Sequence, residues 1–426
     1  MRRYESYKDS GVEWLGEVPH CWDVKKVKNI FHLIAEPAAK NNQCELLSVY
    51  TDIGVKPRAE LEERGNKAST TDGYWIVKKG DIVVNKLLAW MGAIGLSEYD
   101  GVTSPAYDIL RPHQQINGKF FHYLFRTPLC LSEFKKNSRG IMDMRLRLYF
   151  EELGNIYIPF PSYPEQQKIA QFLDDKTAKI DQAVDLAEKQ IALLKEHKQI
   201  LIQNAVTRGL NPDVPLKDSG VEWIGQVPEH WEILSIKRLS QVKRGASPRP
   251  IDNPKYFDND GEYAWVRISD VTASNMYLLE TTQKLSNLGK SYSVPLMPDS
   301  LFLSIAGSVG KPIITKIKVC IHDGFVYFPE YKQNTKFLYY IFYSEQPYIG
   351  LGKMGTQLNL NTDTVGAIKI PIPPLCEQQQ IADYLDIQTA KIDQAIALKT
   401  AHIEKLKEYK SVLINDVVTG KVQVSV

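Results

Sequence analysis

The residues of this chain whose types and order come closest to a catalytic site are Asp299, Glu330 and Lys332. Together with Pro298 they match the PD…ExK order of metal-dependent nucleases, in which carboxylates hold Mg²⁺ during hydrolysis. A sequence repeat described below aligns Asp299 with Asp81, and no ExK follows Asp81 at a comparable distance. Chance explains the match better, so a nuclease remains only as an alternative.

Two further patterns lack the spacing that their chemistry requires. The loop 307–311 (GSVGK) is glycine-rich, but it does not have the GxxxxGK[ST] spacing of a phosphate loop, so we expect a turn between strands. The segment 252–256 (DNPKY) is similar to the Asn-Pro-Pro-aromatic tetrad of amino-methyltransferases, with a lysine in place of the second proline. None of the eight histidines is spaced as a metal pair with another histidine or a cysteine. The sequence therefore predicts no catalytic residue, no metal and no cofactor bound by this chain.

Basic residues cluster locally, although the formal net charge of the whole chain is only +2. A nucleic-acid site on such a chain must come from these clusters, because phosphates attract Lys and Arg wherever they are concentrated. For any single residue the alternative is an ordinary solvated face. The candidates from basic clusters and from two glycine-bearing turns are Lys86, Trp90, Lys135, Lys136, Arg139, Lys243, Arg244, Arg249, Ser304, Ser308 and Lys311. In the turns the aromatic residue could instead belong to the core.

The most specific candidate for base reading lies just before two proline-containing segments. Residues 144–153 read MRLRLYFEEL and residues 356–365 read TQLNLNTDTV. In this register Arg145 matches Gln357 and Arg147 matches Asn359, with leucines between them. A strand would place the leucines on one face and the polar residues on the other. Because Arg suits guanine O6 and N7 whereas Gln and Asn suit adenine N6 and N7, the swap predicts readers of two different base sequences.

The sequence segments that form the elements positioning these residues occur twice in the chain. Residues 8–24 (KDSGVEWLGEVPHCWDV) match residues 217–233 (KDSGVEWIGQVPEHWEI), and residues 158–184 match residues 370–396. Both matches are offset by roughly 210 residues, so the chain is a tandem duplication of one unit. The regions between the matched ends diverge strongly. They include predicted strands at 75–85, at 300–305 and at 313–317. We infer a shared frame that carries two different binding modules.

Each copy ends in a long predicted helix, at about 165–208 and about 377–418, with prolines before it and a glycine after it. Apolar residues recur at steps of three, four and seven, which is coiled-coil spacing. A helix of ~40 residues is ~60 Å long, so we expect the two helices to pack on each other, antiparallel about a pseudo-two-fold axis. The predicted helix–helix interface comprises Leu173, Ile180, Val184, Ile191, Leu194, Leu201, Leu385, Ile392, Ile396, Ile403, Leu406 and Leu413.

Two expectations follow about how the copies meet. Lys198 and Lys410 interrupt the stripes at matching positions, and a polar residue there can fix register at a cost in stability. We expect the stripe at 191–194 to pack near 403–406. Pseudo-symmetry also places the end of the second helix near the beginning of the chain.

Composition is that of an ordinary soluble protein, with 43% hydrophobic and 24% charged residues. The five cysteines form no CxxC pair and no apolar signal follows the first residues, so we expect a reduced, cytoplasmic setting. No apolar run approaches the ~18 residues that a membrane span requires.

The chain strongly resembles the specificity (S) subunit of type I restriction-modification systems. The resemblance is carried by the paired YKDSGVEWLGEVP and LKDSGVEWIGQVP segments, the paired EQQ-x-IA helix starts, and the VTRGLNP and VVTGKV helix ends. It covers essentially the full length. It implies an α/β (α+β) fold with target recognition domains at 1–160 and 213–370, and conserved spacer helices at 161–212 and 371–426.

The same resemblance implies that each target recognition domain reads one half of a split, asymmetric site in double-stranded DNA. It implies that the antiparallel helices set the spacing and dock two modification subunits, which bind S-adenosylmethionine and methylate adenine. Restriction subunits would add ATP- and Mg²⁺-dependent translocation and cleavage. The chain itself would have no catalytic role. A coiled-coil adaptor that binds only proteins is the second alternative, beside the nuclease.

Overall fold

The computed structural model describes residues 2–60, 71–141, 145–351 and 360–424. Contacts divide the chain into unit 1, residues 1–188 and 400–426, and unit 2, residues 189–399. Both divisions fall inside a long helix. Each unit therefore contains one variable domain, the first part of one long helix and the last part of the other.

The two long helices confirm the sequence prediction closely, since each begins two residues earlier than expected. They are α4 (Tyr163–Arg208, 46 residues) and α10 (Leu375–Val418, 44 residues). Gly209 and Gly420 follow them in the left-handed region, with φ of 75° and 79°. A Cβ on Gly420 would lie 2.4 Å from the Pro19 ring, and one on Gly209 would lie 3.1 Å from the Trp231 ring. Glycine is required at both stops by the backbone conformation and by this close approach.

The remaining elements of unit 1 form a mixed α/β domain around an antiparallel sheet with the strand order β4-β11-β8-β9. The strands are β1 (Tyr7–Asp9), β2 (Glu17–Pro19), β3 (Asp23–Lys26), β4 (Phe31–Ile34), β5 (Leu47–Tyr50), β6 (Gly54–Pro57), β7 (Trp75–Val77), β8 (Ile82–Asn85), β9 (Ile94–Leu96), β10 (Gly101–Thr103), β11 (Tyr107–Pro112) and β12 (Tyr157–Phe160). The helices are α1 (Gly118–Phe125), α2 (Pro128–Asn137) and α3 (Phe150–Leu153), with 3-10 turns at Val27–Asn29, Arg58–Glu60 and Ala89–Met91. Aromatic residues of α1 pack in one core with residues of β4, β8 and β11.

Within the described residues, the two larger sheets of unit 2 have five and four strands, with the strand orders β16-β24-β21-β22-β18 and β19-β17-β23-β20. The strands are β13 (Leu216–Asp218), β14 (Gln226–Pro228), β15 (Glu232–Ser235), β16 (Lys243–Arg244), β17 (Tyr263–Val266), β18 (Tyr277–Leu278), β19 (Gln283–Leu285), β20 (Val294–Leu296), β21 (Leu301–Ser304), β22 (Pro312–Thr315), β23 (Val319–Ile321), β24 (Phe325–Tyr327) and β25 (Lys369–Ile372). The helices are α5 (Ile236–Leu239), α6 (Ile268–Ala273), α7 (Asn287–Ser291), α8 (Thr335–Tyr343) and α9 (Thr362–Ala367), with 3-10 turns at Pro254–Tyr256 and Gln346–Tyr348.

The repeated sequence builds the same frame in both units. The leading segments fold as the hairpins β1–β2 and β13–β14, and the next strands pair antiparallel with the strands that precede the long helices, as β3–β12 and β15–β25. Trp22 and Trp231, at matching positions, are fully buried. In unit 1 the Gln423 N–H donates to the Arg2 carbonyl at 2.8 Å. This contact confirms that the second helix ends beside the beginning of the chain.

The strand predictions have mixed outcomes. Strands β7 and β8 lie within 75–85, and β21 and β22 pair antiparallel around the glycine-rich loop, as predicted. The predicted alternating strand at 144–153 is wrong for the residues described, because only Arg147 forms an isolated bridge and α3 starts at Phe150. Glu151 and Glu152 lie in the first turn of α3, where carboxylates favour a helix over a strand.

Two equivalent ion pairs join the long helices and show that they run antiparallel, one pair inside each unit. Lys410 Nζ lies 2.7 Å from an Asp181 carboxylate oxygen in unit 1, and Lys198 Nζ lies 2.7 Å from an Asp393 carboxylate oxygen in unit 2. The lysines that interrupt the stripes are therefore paired with the aspartates of the repeated AKIDQA segment.

These ion pairs correct the expected register. In antiparallel helices a step forward along one is a step backward along the other, so Leu406 lies near Val184 and Leu194 near Ile396. Leu406 and Val184 both pack on the core of unit 1. The expected packing of Leu194 beside Leu406 is wrong, because an apolar stripe alone permits several registers. Five predicted stripe residues, Leu173, Ile180, Leu385, Ile403 and Leu413, are buried, and the other seven are half-buried.

Candidate nucleic-acid interface

Each variable domain is fixed to a long helix by a set of contacts that the sequence reading missed. In unit 1 Asp174 accepts hydrogen bonds from Tyr123 Oη at 2.8 Å and from Lys119 Nζ at 2.7 Å. In unit 2 Asp386 accepts equivalent bonds from Tyr340 Oη at 2.6 Å and from Lys336 Nζ at 2.5 Å.

The repeated EQQ segments add a second fixing point. The side-chain oxygen of Gln166 accepts from the Asn117 N–H at 2.8 Å, and that of Gln378 accepts from the Asn334 N–H at 3.0 Å. Asn117 and Asn334 are the N-caps of α1 and α8. The only sequence signal was the repetition of EQQ, because the partners lie in regions that the repeat does not align. Each variable domain is thus held to the frame in the same way.

In unit 1 three separate segments bring together the seven predicted DNA-binding residues of that unit. The Leu148 N–H donates to the Lys86 carbonyl at 2.9 Å, and Arg139 and Arg147 exchange two backbone hydrogen bonds at 2.9 Å. Lys135 Nζ lies 4.8 Å from the centre of the Trp90 ring. We call this the unit 1 basic surface, comprising Lys86, Trp90, Lys135, Lys136, Arg139, Arg145 and Arg147.

The members of the unit 1 basic surface differ in how much charge they present. Arg145 and Arg147 are exposed, and Leu148 beside them is fully buried. Lys86 is instead the counter-charge of Asp108, at 3.2 Å. Burial raises the pKa of Asp108, and Lys86 opposes that rise. The two arginines are therefore more exposed to solvent than Lys86.

The other members make local contacts. The indole Nε1 of half-buried Trp90 donates to the Leu87 carbonyl at 3.1 Å. Lys136 is exposed and lies 3.6 Å from Glu133, and Arg139 forms an ion pair with Glu152. In both ion pairs the cation is exposed, so the pairs contribute little to stability.

In unit 2 the predicted residues fall into two groups with different surroundings. Lys243, Arg244 and Arg249 are exposed on β16 and on the loop that follows it. Gln357 and Asn359 lie outside the described residues, and Leu360 directly after them is buried.

The glycine-rich loop of unit 2 uses its polar groups internally. Ser304 is fully buried and donates to the Ala306 carbonyl at 2.8 Å, and Ser308 Oγ lies 2.7 Å from the hydroxyl of Thr272. Lys311 Nζ donates to the carbonyls of Thr272 at 3.0 Å and of Ser274 at 2.7 Å. Burial lowers the pKa of Lys311. These contacts tie the loop to the C-terminal end of α6.

No arrangement for metal chemistry is present in the described part of the chain. Asp299 of the PD…ExK pattern forms an ion pair with Lys316 at 2.6 Å, and no group of three or more His, Cys, Asp or Glu among these residues could hold a metal ion. Among the described helices none is long and apolar enough to cross a membrane.

Comparison with known proteins gives consistent matches over most of the chain. The profile of the family described as type I restriction modification DNA specificity domain matches residues 19–195 and 228–408. A curated relative, the type I restriction enzyme MjaVIII specificity subunit of Methanocaldococcus jannaschii, is 25% identical over 432 residues, which cover 96% of this chain and 94% of the relative.

Two solved structures share the fold. The HsdS subunit from Thermoanaerobacter tengcongensis matches with a TM-score of 0.58 and 15% identity, covering 95% of this chain and 98% of that chain. A chain from a structure of complex assembly and conformational transition in a type I R-M system matches with a TM-score of 0.75 and 14% identity, covering 95% and 99%. At these identities the likeness is one of fold.

Proposed function

We propose, on the ground that this chain belongs to the family of type I restriction-modification DNA specificity domains, that it reads a two-part DNA site and scaffolds the enzymes that act there. The observation that carries the proposal is the duplicated frame. Two units hold their variable domains through equivalent contacts, while the exposed basic residues on those domains differ. A constant frame with different exposed residues suits a split site whose halves differ in sequence.

The unit 1 basic surface supports DNA contact on one half of the site. Arg145 and Arg147 project beside a buried leucine from a segment that adjoins two other basic segments. A guanidinium can donate two parallel hydrogen bonds to guanine O6 and N7, or bind phosphate. In unit 2 the exposed Arg244 and Arg249 supply the corresponding charge.

Exposed apolar residues on the long helices support the docking of two copies of one partner. Leu186 and Leu398 occupy equivalent positions of the repeat, as do Ile200 and Val412, and all four are at least half exposed. Apolar side chains repeated in this way at equivalent positions fit two equivalent protein interfaces. The proposed partners are two modification subunits that bind S-adenosylmethionine, with restriction subunits supplying ATP- and Mg²⁺-dependent cleavage. This chain would bind no cofactor and perform no catalysis.

Methylation mapping tests the proposal most directly. DNA from cells that express this chain with its modification subunit should carry methyl groups at one split, asymmetric sequence. The Leu186→Glu and Leu398→Glu variants should each lower the number of modification subunits bound, as measured by mass photometry. Leu279, which is equally exposed but lies on the variable domain of unit 2, provides the control Leu279→Glu. Absence of site-specific methylation from a correctly assembled complex would favour the protein-only adaptor.

A further inference from the structure

Asp323 of unit 2 accepts hydrogen bonds from three side chains of a basic segment in the same variable domain. We call residues 243–250 the basic arm. Asp323 accepts from Ser247 Oγ at 2.9 Å and from Arg249 Nη2 at 3.0 Å, through its two different carboxylate oxygens. The Arg244 guanidinium donates to the backbone carbonyl of the same residue. Three side chains of the basic arm are therefore oriented by Asp323.

The backbone of the basic arm is also held against the turn that carries Asp323. Strand β16 pairs with β24, and the Gly245 N–H donates to the Phe325 carbonyl at 2.9 Å. A Cβ on Gly245 would lie 2.2 Å from the His322 carbonyl oxygen, so only glycine permits this approach. The backbone thus brings the basic arm to Asp323, and the side-chain contacts then set the direction of the arginines.

The arginines keep most of their hydrogen-bonding capacity. The Arg249 side chain is 79% exposed although one of its nitrogens binds Asp323. A guanidinium has five N–H donors in a planar fork, so fixing one side of the fork leaves the other side aimed at solvent. Burial tends to raise the pKa of Asp323, but Ser247 and Arg249 outweigh it and hold the pKa below its usual range. The carboxylate is therefore ionised at neutral pH.

The basic arm also borders a cavity of about 700 Å³, lined by Ile251, Asp252, Trp265, Arg267 and His322 among others. Ile251 and Asp252 directly follow the arm in the chain, and His322 precedes Asp323. Movement of the arm would therefore also move one wall of this cavity.

We propose that Asp323 is a positioning residue for DNA recognition, whose carboxylate holds Arg249 in the orientation that contacts the second half-site. The inference rests on the proposed function, because it requires that this domain binds DNA. The positioning role is tested by whether removing the Asp323 charge weakens or tightens DNA binding. Asp323 places a negative charge beside DNA phosphates, so a purely electrostatic role predicts that its removal tightens binding to every sequence. A positioning role predicts weaker binding to the specific site.

The experiment compares Asp323→Asn with the wild-type complex, using the mapped site and a scrambled duplex of the same length at the same salt concentration. Fluorescence anisotropy should show unchanged or tighter binding to the scrambled duplex and about tenfold weaker binding to the mapped site, the loss of roughly one base-reading contact. Glu262→Gln is the matched control, because Glu262 is an exposed carboxylate of unit 2 paired with Lys318 rather than with the basic arm. It removes the same charge and should leave the specificity ratio unchanged.

A second variant separates geometry from charge. Asp323→Glu keeps the charge but moves the carboxylate by one methylene, and it should lower specific binding without tightening non-specific binding. If Asp323→Asn tightens both duplexes equally, or if Asp323→Glu keeps the full specificity ratio, the positioning role is refuted. A wild-type complex without preference for any mapped site would instead refute the proposed function.

Discussion

Lys198 and Asp393 form an ion pair, and replacing one of them should destabilise unit 2 more than replacing the other. The Lys198 side chain is only 12% exposed, whereas that of Asp393 is 57% exposed. Lys198 Nζ also lies 5.2 Å from the centre of the Tyr343 ring, which further covers it. Asp393→Asn therefore leaves a poorly hydrated ammonium without its counter-charge. Lys198→Met leaves a carboxylate that water reaches, and its side chain replaces the lysine stem with one of similar volume.

The magnitude follows from this exposure. Fully exposed ion pairs contribute about 0–1 kcal/mol, and removing one partner of a fully buried pair costs about 3–5 kcal/mol. The pair lies between these limits, so we expect Asp393→Asn to lower the free energy of unfolding of unit 2 by about 2 kcal/mol. Lys198→Met should cost less than about 0.5 kcal/mol. For a unit of this size, 2 kcal/mol corresponds to a Tm shift of roughly 4–8 °C.

Differential scanning calorimetry of the full chain, with each variant measured under the same conditions, is the assay. The equivalent pair in unit 1 provides the matched comparison. Lys410 is 31% exposed, so Asp181→Asn should cost about half as much as Asp393→Asn. The exchange variant Lys198→Asp with Asp393→Lys should recover part of the loss, because the pair is reformed. If Lys198→Met destabilised unit 2 as much as Asp393→Asn, burial of the lysine would not be the cause and the reasoning would fail.

Three further predictions concern unit 1 and the duplication. Burial lowers the pKa of His122 to about 4, whereas an unfolded histidine has a pKa of ~6.5. Between these two pH values the His122 imidazole is therefore protonated only in the unfolded chain. The stability of unit 1 should be fully present above pH ~6.5 and fall by up to about 3 kcal/mol as the pH drops towards 4, and urea unfolding of His122→Gln should show a flatter dependence. Arg147→Ala should weaken binding by ~1–3 kcal/mol and relax preference at one base pair, whereas Lys136→Ala should weaken all duplexes alike and reduce the salt slope; equal loss on all duplexes would make Arg147 a phosphate contact. A chain of residues 1–212 should pair with a second copy through its uncovered helix and direct methylation to a palindrome of the first half-site, since an isologous dimer repeats the same reader. A monomeric product, or methylation at the original asymmetric site, would contradict the two-reader arrangement.

The duplication, the two long helices and their stops were predictable because their signals are local and repeated. A sequence segment that is repeated in the chain predicts a repeated structure. A narrow apolar stripe over more than ten helical turns predicts a partner helix. Left-handed glycines after each helix also leave a local signal. The same logic identified the segments that form the unit 1 basic surface, since charge clustering is visible along the chain.

Only the tertiary structure decided the register of the two long helices and which segments meet on the unit 1 basic surface. The apolar stripe repeats every turn or two, so it permits several registers, and the pairing of Lys410 with Asp181 selects one. The alternating leucines before α3 suggested a strand, but a helix starts at Phe150. Segments far apart in sequence meet on the unit 1 basic surface because the sheet and α2 bring them there.

The sequence also could not predict which group each charged side chain contacts. By sequence alone Lys86 and Lys311 are basic candidates of the same kind as Arg145. In the structure Lys86 forms an ion pair with Asp108, and Lys311 donates to backbone carbonyls at the end of α6. Whether a cation faces DNA or the protein depends on which polar group lies opposite it. That group comes from a distant part of the chain, and only folding places it there.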